Sequence, residues 1–86
     1  MSRVDADPAE LRKTAQQLRR FKTEVESQLS RVNGQVAAMR GGDAQQRKFA
    51  DEWDRTARSM RGFLASIDSH APYLERKAKQ LEDYLR

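Results

Sequence analysis

The stretch Arg40-Gly41-Gly42-Asp43 decides how this 86-residue chain folds. It is the one place in the middle of the sequence where a helix must stop. On either side run long segments of helical periodicity almost free of breakers. Two adjacent glycines supply the backbone freedom that a helix end and a tight reversal need. Asp43 follows as an N-cap, and Gln46 three residues on completes a capping-box pattern. The pattern predicts an all-α helical hairpin that bends near residue 41.

Upstream of the turn, Asp7-Pro8-Ala9-Glu10 reads as a helix start, with Asp at the N-cap, Pro at the first helical position and Glu in the first turn. Residues 1–6 form a short polar lead. Leu11, Leu18, Val25, Val32 and Met39 then recur every seven residues, with Ala15, Leu29 and Val36 between them and Lys22 interrupting the seam. The predicted first helix covers about 8–39, roughly 48 Å at 1.5 Å per residue. Gly34 costs it about 1 kcal/mol against alanine and is read as permitting a close approach or a slight bend.

Downstream, Phe49, Trp53, Met60, Phe63, Ile67, Leu74 and Leu81 repeat the pattern in steps of three, four or their multiples. Ala57, Leu64, Ala71, Ala78 and Leu85 widen that stripe, and Thr56, His70 and Lys77 dilute it. A second helix is predicted over about 44–84. Pro72 lies inside it, where a proline deletes a backbone bond and crowds the preceding turn. Asp68 or Ser69 offers a fresh cap, so a kink or brief break is expected near 68–71.

One small domain, residues 1–86, is all that the length allows. Without cysteine the chain has neither disulfides nor thiolate metal sites. It has no apolar run of about 18 residues for a membrane span and no signal-peptide pattern at its start. If the protein is exported, its route accepts folded or signal-less substrates; otherwise it is cytoplasmic. The net charge of +4 raises nucleic acid or an anionic surface as a partner. Acids and bases are interleaved in both halves, however, which is the pattern of solvated helix faces.

No enzyme is legible, and no cofactor or metal site. His70 is the only histidine and has no second histidine or cysteine to share a metal. Asp51, Glu52 and Asp54 lie at adjacent helical positions that point in different directions. Gly41-Gly42 lacks the fingerprint and following lysine of a phosphate loop, and Asp43 would repel an anion. Arg55, Arg58 and Arg61 form the best candidate cationic strip, with ion pairing to Asp51, Glu52 and Asp54 as the preferred reading.

Two long amphipathic helices on a minimal loop lie antiparallel at a shallow angle. Each stripe is wider than one partner helix covers, so some of Phe21, Trp53, Met60, Phe63 and Leu64 should stay exposed. The simplest closure is a second hairpin, giving a four-helix bundle. The expected partner-binding residues are Leu11, Leu18, Phe21, Val25, Val32, Phe49, Trp53, Met60, Phe63, Leu64, Ile67 and Leu74.

Taken together, the length, the central turn and the two stripes resemble the WXG-hundred, or early-secreted-antigen-like, family of type VII secretion. Val4-Asp5-Ala6-Asp7-Pro8-Ala9-Glu10-Leu11 is similar to the family's opening. Arg40-Gly41-Gly42-Asp43-Ala44 falls where the Trp-X-Gly turn belongs, with Phe49 and Trp53 following at suitable spacings. Arg40 stands in the place of the motif tryptophan, and Gly42 is the part of the triplet that remains. Exported members carry Tyr, three residues, then Asp or Glu; here Lys77 follows Tyr73 at that distance, and Tyr84 has only two residues after it.

The resemblance implies a non-enzymatic, coiled-coil-like hairpin that dimerises with itself or with a paralogous hairpin, and export independent of a signal peptide. It further implies a signal-less partner of a pair, or a retained adaptor. A larger secreted effector or an export ATPase is a further implied partner. The rival reading is a basic helical protein that binds nucleic acid or an anionic surface.

Overall fold

In a computed structural model that describes residues 7–85, helix α1 spans Pro8–Ala37 and helix α2 spans Ala44–Leu85. A short 3₁₀ turn, Ala38–Gly41, joins them. The polar lead of residues 1–6, which includes part of the family-like opening, lies outside the described residues, as does Arg86.

Local chemistry sets each helix boundary. The Asp7 backbone is extended, and its carboxylate accepts the Ala9 N–H at 2.9 Å. Its carbonyl accepts the N–H groups of Glu10 and Leu11 at 3.0 and 3.1 Å. Pro8 costs nothing in a first turn whose N–H groups lack helical acceptors. At the other end, α1 tightens into the 3₁₀ turn from Ala38, one residue before the expected end at Met39. The α2 start is a complete capping box. Gln46 N–H donates to the Asp43 carboxylate and Asp43 N–H to the Gln46 amide oxygen, both at 2.8 Å. Arg47 Nη1 donates to the Gly42 carbonyl at 2.6 Å.

Glycine serves this turn for a reason other than the expected one. No described residue has positive φ; Gly42 is extended, with φ −90° and ψ −154°. A Cβ on Gly42 would lie 1.7 Å from Gln46 Oε1, so the missing side chain makes room for the amide that caps α2. A Cβ on Gly41 meets nothing within 4 Å. Gly34 is equally open, so the hairpin makes no close approach there.

The brief break considered at 68–71 does not occur, and α2 is helical throughout with Pro72 inside it. Both candidate caps are engaged elsewhere. The Asp68 carboxylate accepts from Lys22 Nζ at 2.7 Å, and Ser69 Oγ donates to the Ser66 carbonyl at 2.9 Å. The proline forfeits one helical hydrogen bond, while buried Ile67 and Ala71 before it and half-buried Leu74 after it keep the helix packed on the core. The molecule is 64 Å long and 23 by 17 Å across, close to the roughly 63 Å rise of a 42-residue helix.

The core follows a heptad pattern in which the innermost row differs from the one richest in large side chains. Ala15, Leu29 and Val36 of α1 are buried, and so are Ala50, Ala57, Leu64, Ala71 and Ala78 of α2, at strict seven-residue steps. The neighbouring row, Leu11, Leu18, Val25, Val32 and Met39, is only half-buried. So are Trp53, Met60, Leu74 and Leu81, with Ile67 alone in its row fully buried. Among the described residues Leu64 is the largest side chain almost wholly removed from solvent.

Leu64→Ala is expected to lower stability by about 2–4 kcal/mol. Gly42→Ala should cost about 1 kcal/mol through the displaced Gln46 cap, Gly41→Ala almost nothing, and Gly34→Ala should stabilise by about 1 kcal/mol. Urea titrations followed by circular dichroism rank the four; equal costs at Gly41 and Gly42 would contradict the steric account of the turn.

Candidate protein-interaction surface

The two long edges of the hairpin have opposite character. One is an ion-pair ladder. Arg12 meets Glu82 through two contacts of 2.5 and 3.2 Å, and Arg19 meets Glu75 with Nη2–Oε1 at 2.9 Å. Arg40 grips Asp54 at 3.0 and 2.8 Å. Each step of seven, or of three times seven, along α1 is matched by the same step backward along α2, so all three pairs belong to one register. All are two-pronged guanidinium–carboxylate contacts, which fix orientation as well as charge. Arg40 thus holds the turn end of the hairpin with an ion pair.

The other edge carries almost no charge among the residues nearest the seam. There Phe21 and Phe63 meet edge to face, with ring centroids 6.4 Å apart, yet they remain 41% and 60% exposed. Phe49 is exposed to 46%. The half-buried row from Leu11 to Met39 and its counterpart from Trp53 to Leu81 border this edge, because that row lies on the far side of the buried row from the ion pairs. The result is a continuous apolar face about as long as the hairpin.

Of the expected partner-binding residues, Leu11, Leu18, Phe21, Val25, Val32, Phe49, Trp53, Met60, Phe63 and Leu74 all retain exposed or half-exposed surface. Leu64 and Ile67, each 2% exposed, are spent inside the hairpin and offer a partner no surface.

Asn33 escaped the sequence reading. Its Oδ1 accepts the Trp53 indole N–H at 2.7 Å, tying α2 to α1 across the seam. The ladder escaped as well, although the seven-residue spacing of Arg12, Arg19 and Arg40 carried the signal. The preferred pairing of Arg55, Arg58 and Arg61 with nearby acids is not realised. Asp54 turns to Arg40, and among the described residues the three arginines make no ion pair. His70 is exposed, and no described group of His, Asp and Glu is placed to hold a metal. No described helix is long and apolar enough to cross a membrane.

The family model described as "Proteins of 100 residues with WXG" matches residues 3–84. The chain belongs to the WXG100 family. Membership places it among the type VII secretion-associated helical hairpins. The fold agrees with crystal structures of the secreted protein EsxB from Bacillus anthracis str. Sterne. The selenomethionine form superposes with a TM-score of 0.79 at 23% identity, covering 100% of both chains. A point variant of the same protein gives 0.80 at 25% identity over 96% of each chain. No curated protein shows a significant match.

The charges on the ladder edge of this WXG100 hairpin respond to their partners. Hydrogen bonds from Arg40 and Arg19, then their charges, hold the carboxyls of Asp54 and Glu75 below the usual range. The hydrogen bond to Asp68, and then its charge, raise Lys22. A depressed carboxyl adds stability above its unfolded pKa and loses it as pH falls through the folded value; a raised lysine loses its contribution as pH rises through its own. The melting temperature should therefore drop below about pH 4 and again above about pH 10. Arg40→Gln should shrink the acid-side drop and leave the alkaline one, as read by circular dichroism melts. Salt near 1 M should reduce the acid-side drop as well.

Proposed function

We propose that the hairpin acts by binding rather than by catalysis, as one half of a four-helix bundle in type VII secretion. Its partner is a second copy of itself or a paralogous WXG100 hairpin, seated on the mainly apolar face. The observation that carries this reading is the division of labour within the two stripes. Alanine fills much of the buried row, while the phenylalanines are exposed and Trp53 and Met60 are only partly covered. Covering such a face yields about 25 cal/mol per Å² of apolar surface before the costs of association. Export by a route independent of a signal peptide belongs to the same proposal, supported by family membership and by the secreted protein EsxB as structural neighbour.

Light scattering across a concentration series should give about twice the chain mass for the self-paired form. A monomer of low helicity would instead direct the search to a paralogous partner. Phe63→Glu should weaken pairing by about tenfold or more, since a buried aromatic anchor is replaced by an unpaired charge. Its circular dichroism at high protein concentration should stay helical, because Phe63 is not in the hairpin core. Dimers of unchanged stability in Phe21→Ser and Phe63→Glu alike would rule out this face.

A further inference from the structure

The ion ladder has a gap. Stepping by sevens between its outer pairs puts Glu26 opposite Asp68 and Asn33 opposite Arg61. Two carboxylates repel, and an amide cannot neutralise a guanidinium. Lys22, one turn away, takes Asp68 at 2.7 Å. Asn33 spends its carbonyl oxygen on Trp53, so its two amide hydrogens remain available. Among the described residues Glu26 and Arg61 make no close ion pair; Glu26 acts on Lys22, and Arg61 on Asp54, only through longer-range charge. At this gap the surface opens into a cleft of about 280 Å³, lined by Glu26, Leu29, Ser30, Asn33 and Arg61. Arg58 and Arg55, also unpaired, continue the cationic edge toward the turn.

We propose that this cleft is a docking site for an acidic segment of another protein, whose carboxylate takes the place of the missing ladder rung at Arg61. The donors are the Arg61 guanidinium, the Asn33 amide and the Ser30 hydroxyl; a guanidinium fork matches a carboxylate in two prongs. Leu29 gives the cleft an apolar floor for the stem of the entering side chain. Glu26 in the lining and Asp51, one turn before Arg55, select against a ligand that is anionic at every step, such as a phosphate backbone. The exposed rings of Phe21, Phe49 and Phe63 lie away from the cleft, and Trp53, which reaches Asn33, is largely buried with its N–H already bonded there, so no exposed ring offers a stacking platform among these cations. Because the cleft faces away from the apolar face, it is open to a segment whether or not the hairpin is paired, and the inference does not rest on the pairing.

Fluorescence anisotropy of the full chain can test it with three probes. One is a labelled helical peptide carrying Glu at positions i, i+3 and i+7 in an alanine background, the second its Gln counterpart, and the third an unrelated DNA duplex. At about 50 mM salt the Glu peptide should bind, the Gln peptide should not, and the duplex should bind no more tightly than the Glu peptide. Arg61→Gln should weaken the peptide about fivefold or more, Glu26→Gln should tighten it, and Arg20→Gln, at an exposed arginine distant from the cleft, should leave it unchanged. Light scattering on the same variants reads pairing separately. The proposal is overturned by absent peptide binding, by equal losses at Arg20 and Arg61, or by tighter binding to the duplex.

Discussion

A pair of helices shields only the side chains that face each other, and here the innermost row of α2 is mostly alanine. Ala50, Ala57, Ala71 and Ala78 surround one leucine, Leu64, on that row. Small side chains let the helices approach closely, but they bury little apolar area and so contribute modestly to stability. Most of the larger residues are displaced to the flanking row and left only partly covered. The exposed apolar face is therefore a by-product of the same packing that makes the hairpin.

Electrostatics then decides which side that surface takes. Two-pronged arginine–carboxylate pairs lock one edge in a single antiparallel register, and solvent-exposed pairs of this kind contribute more to orientation than to stability. Closing one edge with charge leaves the opposite edge as the place where apolar residues accumulate. Arg40 extends the arrangement to the turn. Its guanidinium is matched by Asp54, so the bend is fastened by an ion pair and by the Asp43–Gln46 capping box. On the second helix the Trp53 indole is bonded to Asn33.

The hairpin itself was legible because its determinants are local. Asp7-Pro8 and Asp43 with Gln46 mark helix starts through hydrogen bonds that span two or three residues, and the seven-residue apolar spacing needs only helical geometry. At Pro72 the sequence left a kink or a brief break open, and the helix does not break. The proline's cost is local, but what offsets it is the packing of Ile67 and Ala71 against the other helix, together with the commitment of Asp68 to Lys22. The role of Gly42 was misread, because the decisive contact is a side chain folding back over it.

By itself the sequence determined the number of helices, the place of the turn and the presence of two apolar stripes, since short-range bonding and periodicity dictate all three. Only the tertiary structure decided that the alanine row is innermost, that Leu64 and Ile67 are spent inside, and that Phe21 and Phe63 stay outside. It also placed the gap in the ladder at Glu26 and Arg61. The physical reason is register. Which residues meet across two helices depends on how far one is slid and turned against the other, and a single helix's periodicity is unchanged by either motion.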